Sequence, residues 1–389
     1  MSKSNNIHGE ILNRLNFLQN KKRAESIHEP FFDNSEVEYI QKCLKSGLVS
    51  TVNNDFIRDF EKSVSNFTKI KFVHATNSGT SALHICLQTL GIQKDDEVIV
   101  PSLTFVATAN VVLYCNAKPI FVDCEMDSLG ICPDNLNVFL KKNTFYKNNN
   151  LYNKETKKKI KALIATHIYG MPNNIEELCS ICKKYNLRLI EDATECLGTF
   201  YNNKHVGSFG DISALSFNGN KIITTAGGGA IMTNHKNHSN EANLMINVSK
   251  EKKKGITIHS KLGFNYKMPG LNASLGLAQF KKINSFLKNK RKLASKYFKI
   301  FEDLSELKFF KERNNTVSNY WIIAACLSKS IDKEKLIKQA KKKGIALQSI
   351  WVPLHSLKYF KNYQRTSMRN TNHIFNNLIC FPSSPYLIK

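Results

Sequence analysis

The sequence predicts an α/β fold: a mostly parallel central sheet with helices on both faces, followed by a smaller C-terminal α+β unit. Three observations predict it. Between Phe72 and Thr233 short β-rich runs alternate with helical stretches, the pattern of strand–helix–strand crossovers. The runs VIVP, PIFVD, ALIATHIYG and RLIEDA are almost continuously apolar, as strands buried on both faces must be. After Asn284 the alternation gives way to a Lys-rich helix and a few shorter elements.

Taken in order, residues 1–30 read as a helical extension, with Ile11, Leu12, Leu15 and Leu18 on one face, ending in a loop through His28-Glu29-Pro30. Residues 31–283 form the large unit. Its strands are expected at Phe72–Ala75, Glu97–Pro101, Pro119–Asp123, Lys161–His167, Leu187–Glu191, Ile212–Ser216 and Gly229–Thr233. Its helices are expected at Thr80–Leu90, Phe105–Cys115 and Ile175–Tyr185. Lys141–Lys159, rich in Asn and Lys, reads as a solvated insertion. Residues 284–389 form the small unit, with a strand at Tyr320–Leu327, a helix at Asp332–Lys343 ending at Gly344, and a strand at Ala346–Val352.

Composition narrows the function. The chain has 389 residues, 42% of them hydrophobic, and a formal charge of +25. That charge invites a nucleic-acid reading. Of the 56 basic residues, however, 48 are Lys and 8 are Arg, and Asn is almost as abundant as Lys. Base-edge recognition leans on the bidentate arginine fork, so the excess reads as a compositional bias of the surface, with no nucleic-acid partner expected. The N-terminus lacks the apolar run of a signal peptide, and Val98–Cys115 is broken by Pro101 and Asn110. A soluble, cytoplasmic protein without membrane attachment is expected. The single CxxC, Cys179 to Cys182, has no second cysteine or histidine pair, so it reads as two packed thiols and no metal site is expected.

In an open parallel sheet, ligands bind beyond the carboxyl ends of the strands, and three loops there carry chemistry. Asn77-Ser78-Gly79-Thr80-Ser81 opens a helix whose N-terminus suits a phosphate. Glu191-Asp192-Ala193-Thr194-Glu195 ends a buried strand with carboxylates that need cationic partners. Ser216-Phe217-Asn218-Gly219-Asn220-Lys221 sets one lysine between a strand and the run Ala226-Gly227-Gly228-Gly229. Each loop alone has an ordinary structural explanation. Together they meet the needs of pyridoxal 5′-phosphate: a phosphate cradle, a carboxylate for the pyridine nitrogen and an amine for the aldehyde.

The stretches NSGTSALHICL, DEVIVPSLTFVATANVV, HIYGMPNNIEEL, LIEDATECLGTFYNNKHVGSFGDISALSFNGNKIITTAGGG and GFNYKMPGLNASLGLAQ resemble, in order, those of the DegT–DnrJ–StrS sugar aminotransferases. The resemblance runs from about Glu29 to the C-terminus and implies the fold type I of pyridoxal-phosphate-dependent transferases. It implies that Lys221 is the cofactor-bearing catalytic lysine and that Asp192 pairs with the pyridine nitrogen. Gly79, Thr80 and Ser216 match the phosphate cradle, Phe105 the aromatic stacked on the ring, and Glu195 a position near the ring's 3′-oxygen. Asn265 matches a residue that reaches a neighbouring subunit's cofactor, which implies a homodimer with shared sites. The segments HEPFF, SFNGNKIITT, VPLHSL and FPSSP are similar to a narrower group that aminates C4 of UDP-linked 4-keto-6-deoxy-N-acetylhexosamines, with glutamate as donor, on routes to legionaminic acid or bacillosamine. His355 and Lys267 are then candidate substrate contacts. Two positions depart from the pattern: Lys267 replaces an Arg, and Ala226 replaces a Gly. Related chemistries on this fold are C3 amination and a dehydration in which His replaces the lysine. A basic binding protein on the same fold is the non-enzymatic alternative, against which Lys221, Asp192 and Ser216 stand.

Overall fold

The computed structural model describes residues 3–18, 22–51 and 53–388. The helices are α1 (Lys3–Arg14), α2 (Asn34–Ser46), α3 (Asp55–Thr68), α4 (Gly79–Thr89), α5 (Ala107–Tyr114), α6 (Pro133–Asn143), α7 (Ile175–Tyr185), α8 (Lys236–Ile246), α9 (Gly270–Phe280), α10 (Ile283–Ile300), α11 (Lys333–Lys342) and α12 (Arg369–Asn377). The large sheet is built from β1 (Phe72–Thr76), β2 (Glu97–Pro101), β3 (Lys118–Val122), β4 (Thr144–Lys147), β5 (Asn150–Asn153), β6 (Lys159–Thr166), β7 (Arg188–Asp192), β10 (Ile212–Ser216) and β11 (Gly229–Thr233); the short β8 (Phe200–Tyr201) and β9 (Lys204–His205), between β7 and β10 in the chain, belong to a separate small sheet. Further on come the hairpin β12 (Lys250–Lys253) and β13 (Ile256–His259), then β14 (Leu307–Phe309), β15 (Thr316–Val317), β16 (Ile323–Leu327), β17 (Gln348–Ser349) and β18 (Leu378–Phe381).

The large sheet runs β1-β11-β10-β7-β6-β2-β3. Pairings β10–β7, β7–β6, β6–β2 and β2–β3 are parallel, while β11 is antiparallel to both β10 and β1. Reversing one strand between two others leaves β1 parallel to β10. The carboxyl ends of β1, β10, β7 and β6 (Thr76, Ser216, Asp192 and Thr166) therefore share one edge. Apolar clusters lie on both sides of the sheet, one around α4 and α5 and one around α6 and α7, which accounts for the apolar character of its strands.

The second sheet, β14-β16-β18-β17, is antiparallel and packs beneath α10. α1 docks here too. Its Ile11, Leu12 and Leu15 are buried in the same cluster as Tyr297 and Phe301, and Arg14 donates to the Ile300 carbonyl at 2.7 Å and pairs with Asp303.

Three expectations change. Lys141–Lys159 is not simply solvated: β4 and β5 form a hairpin that joins β6 through Leu151 and Tyr152. Leu151 and Asn153 are buried, and Asn153 Nδ2 donates to Glu97 Oε2 at 2.9 Å. The polar composition hid a strand in which alternate residues point inward. The strand expected at Tyr320–Leu327 begins only at Ile323, and that expected at Ala346–Val352 shrinks to Gln348–Ser349. Finally, α2 and α3 were unanticipated, although Asp33 and Glu36 form a capping box at the start of α2.

None of the described helices is long and apolar enough to cross a membrane. Cys182 is buried and Cys179 half-buried on α7; both are free thiols, and burial pushes Cys179 up to about 11. Because Leu15, just beyond α1, is fully buried in the apolar cluster shared with α10 and the small sheet, Leu15→Ala should destabilise the protein by about 3 kcal/mol. Urea denaturation followed by circular dichroism measures this.

Candidate active site

The shared strand edge opens into a cavity of about 290 Å³ lined by residues from all three chemistry-bearing loops: Gly79, Thr80, Asp192, Glu195, Ser216 and Lys221. Each is placed by a local cause. Ser78 caps α4, its hydroxyl accepting from Ser81 N at 3.0 Å, so Gly79 and Thr80 form the first turn, whose N–H groups have no partner within the helix. Gly79 lets this turn press on β10, because a Cβ there would meet Ser216 Cβ at 2.9 Å. Gly229 lets β11 begin directly under the same turn, since its Cβ would meet the Ser78 carbonyl at 2.5 Å. The result is a positive helix end beside the Ser216 hydroxyl.

Asp192, the last residue of β7, is buried. Its Oδ2 accepts from Thr108 Oγ1 at 2.7 Å; its Oδ1 accepts from Thr194 Oγ1 at 2.7 Å and Thr194 N at 3.2 Å. Thr104 Oγ1 lies 3.0 Å from Thr108 Oγ1 and continues the network. These bonds fix the carboxylate plane toward the cavity.

The neighbouring Glu191 corrects the expectation of a carboxylate cluster at the ligand edge. Alternation along β7 turns it to the opposite face. There it pairs with His167 Nε2 at 3.0 Å and accepts from the N–H groups of Gly207, Phe209 and Gly210. It secures the loop that leads into β10 and takes no part in the cavity.

Lys221 is only 13% exposed. Its Nζ lies 3.9 Å from Glu195 Oε1 and 3.6 Å from the centre of the Trp321 ring. Glu195 Oε2 accepts from Tyr169 N at 2.7 Å. Burial raises Glu195 to about 7 and lowers Lys221 from the usual lysine range, while the opposite charges partly offset both shifts. Burial therefore draws the proton affinities of the two groups toward one another.

Phe105 precedes α5 rather than opening it, and stands 52% exposed over the cavity mouth, edge-on to Trp351 at 6.1 Å. Thr108, Thr194, Trp321 and Trp351 are the site residues that sequence reasoning missed. One signal was available for two of them: the chain has two tryptophans, and both line this cavity.

Asn265, Lys267 and His355 lie outside the cavity wall. Asn265 is exposed on the segment that runs beside Asn77, whose N–H donates to the Tyr266 carbonyl at 2.8 Å. Lys267 lines a separate groove with Thr51, Asn237, Asn240 and Glu241. His355 is held by Ser102, with Nδ1 and Oγ 2.7 Å apart, and burial lowers its pKa. Ala226, the other departure, sits at φ +64°, in the left-handed region where a side chain costs about 1–2 kcal/mol.

The residues present fit pyridoxal phosphate on structural grounds: an unpartnered helix turn and a hydroxyl for the phosphate, a fixed buried carboxylate for the pyridine nitrogen, and a buried amine within the same cavity. Among the described residues no group of three or more His, Cys, Asp and Glu side chains could hold a metal ion.

A carboxyl whose folded value is raised favours folding below its ordinary value and loses that contribution as pH climbs through the raised one. The cofactor-free protein should therefore lose stability between about pH 4.5 and 7 through Glu195, and Glu195→Gln should flatten that slope. Thermal melting across this range checks it.

The comparisons agree with this geometry. Residues 30–389 match the model of the DegT/DnrJ/EryC1/StrS aminotransferase family. The chain is 31% identical over 369 residues to a GDP-perosamine synthase of Vibrio cholerae, covering 93% of this chain and 94% of that one. It is 30% identical over 332 residues to the UDP-4-amino-4,6-dideoxy-N-acetyl-β-L-altrosamine transaminase of Campylobacter jejuni, covering 85% and 84%. Its fold superposes with a TM-score of 0.81 on the PLP-form of a putative sugar aminotransferase from Streptococcus pneumoniae, 21% identical, covering 92% and 93%. A family match over nearly the whole chain, on a sheet edge already fitted to the cofactor, leaves one conclusion: this chain belongs to the DegT/DnrJ/EryC1/StrS aminotransferase family and is a pyridoxal-phosphate-dependent transaminase acting on nucleotide sugars.

Proposed function

We propose that the enzyme moves the amino group of glutamate to C4 of a UDP-linked 4-keto-6-deoxy-N-acetylhexosamine, for surface-glycan or nonulosonic acid synthesis. The single observation that carries the chemistry is the burial of Lys221 beside Glu195, in one cavity with Asp192. The nucleotide and sugar rest on the HEPFF and VPLHSL segments. The Campylobacter relative, whose name places an amino group at C4 of a UDP-linked N-acetyl sugar, supports them.

Bound pyridoxal phosphate supplies an aldehyde that accepts and returns the amino group and a ring that takes up the electron pair when a proton leaves the substrate. The protein supplies the rest. Gly79, Thr80 and Ser216 bind the phosphate through the helix end and a hydroxyl. Asp192, fixed by Thr108 and Thr194, keeps a proton on the pyridine nitrogen. Phe105 covers the ring face. Lys221 carries the cofactor and, once released, moves the proton between substrate and cofactor carbons. Glu195 sits beside that amine as its proton partner.

Asn265 acts across a homodimer in this reading, completing the phosphate site of the neighbouring subunit. Lys267 offers a point charge to the substrate diphosphate where relatives have an arginine fork. The basic surface favours a diphosphate-linked ligand in general.

A second reading has support of its own: GDP-perosamine synthases are similar at 31% and 32% identity. A GDP-linked keto sugar would then be the acceptor. Incubation with UDP-, GDP- and dTDP-linked 4-keto sugars plus glutamate, read by product mass, separates the two. Amination of the UDP-linked N-acetyl sugar alone is expected.

Lys221→Ala should abolish both turnover and the visible absorbance of bound cofactor; unchanged turnover refutes the mechanism. Mixing Lys221→Ala with Asn265→Ala subunits should restore activity, because one site in each mixed dimer then receives both intact residues. Failure of two folded variants to complement would remove the shared site.

A further inference from the structure

The Lys221 amine does not rest against open space in the cavity. It lies over the indole face of Trp321, a residue whose ring N–H and backbone polar atoms are all tied down. Trp321 Nε1 donates to the Asn220 carbonyl at 2.8 Å, Trp321 N donates to Asn319 Oδ1 at 2.8 Å, and the Trp321 carbonyl accepts from the buried Lys290 Nζ at 3.0 Å. Lys290 in turn donates to the Ser383 carbonyl at 2.5 Å. Asn319 is itself anchored, its Nδ2 donating to the carbonyls of Glu195 and Leu197.

The first of these bonds has a geometric consequence. Asn220 immediately precedes Lys221, so the ring is fastened to the backbone from which the lysine side chain starts. The side chain leaves that backbone and its amine returns to the ring face at 3.6 Å. The four-carbon stem is thereby held in one closed loop, and the distance between ring and lysine backbone does not depend on how the rest of the cavity is filled. An indole face attracts an ammonium and displaces water around a neutral amine.

We propose that Trp321 is a positioning residue whose indole face is the resting place of the Lys221 amine whenever that amine is not joined to the cofactor. This rests on the reading of Lys221 as the cofactor-bearing lysine. The indole keeps the freed amine within reach of Glu195 and out of solvent, so that it returns to the same carbon in every cycle. The ring comes from the segment leading into the small sheet, so the second structural unit contributes directly to the position of the reacting amine. The titratable groups facing that amine are Glu195 and Asp192 on the β7 loop, Cys196 beside them and His28 from the N-terminal segment.

The test uses the two tryptophans. Trp351→Phe leaves Trp321 as the single indole emitter. In that protein, free of cofactor, a pH titration of emission should show a transition below the ordinary lysine range, and adding Lys221→Ala should remove it. Trp321→Leu should lower kcat by about tenfold to a hundredfold, with KM for glutamate little changed, and Trp321→Phe, which keeps an aromatic face, should recover most of the loss. An emission transition that survives Lys221→Ala overturns the proposal. So does a folded Trp321→Leu protein with normal kcat, or a Trp321→Phe protein as slow as Trp321→Leu. If Trp321→Leu does not fold, the emission titration still decides, because Trp321 is intact there. Turnover by Lys221→Ala refutes the catalytic reading itself, whereas an inactive Lys221→Ala with unaltered emission refutes only the role of Trp321.

Discussion

An amine and a carboxylate withdrawn from water beside one another are the constraint on which the site depends. Alone, either Lys221 or Glu195 would lose several kcal/mol of hydration on entering this cavity. Together they offset part of that cost, and burial moves their proton affinities toward one another. The surrounding architecture keeps the pair dry and close. β7 and β10 run parallel and end on the same edge, Tyr169 N holds one oxygen of Glu195, and the indole of Trp321 covers the amine of Lys221.

The same sheet edge separates functions by strand parity. Along β7, Glu191 and Asp192 are neighbours of equal charge, yet alternation sends one to His167 and a ring of backbone N–H groups and the other to the cavity. Each is satisfied by different partners, so two adjacent buried carboxylates coexist. The glycines at 79 and 229 serve a complementary purpose by letting the first turn of α4, β10 and β11 approach closely enough for the positive helix end to face the same cavity. No cationic side chain is needed to make that corner attractive to a phosphate.

Much of the fold was legible in the sequence because its causes are local. The buried strands declare themselves by continuous apolar runs, and the order of loops bearing Gly79, Asp192 and Lys221 suffices to name a cofactor. Less legible were elements whose meaning depends on distant partners. β4 and β5 are polar and read as solvent-exposed until β6 pairs with them. α3 does carry Ile57, Phe60 and Val64 at helical spacing, but the α9 surface that it and α2 pack against is visible only in the fold. Thr108 and Thr194 resemble any hydroxyl residues until Asp192 lies between them.

The sequence by itself supplied the candidate site residues: one lysine among 48, a carboxylate at the end of a buried strand, and a glycine-bearing helix start, each in a fixed order along the chain. It also determined that the large positive charge belongs to the surface, since the cavity loops are small, hydroxylic or acidic. Only the tertiary structure decided which neighbours share the cavity. It sent Glu191 away, left Asn265, Lys267 and His355 outside the wall, and brought Trp321 and Trp351 in from far downstream in the chain. The physical reason is that residue type and spacing encode local conformation. Direction across a sheet, and the approach of one structural unit to another, arise only when the apolar faces close.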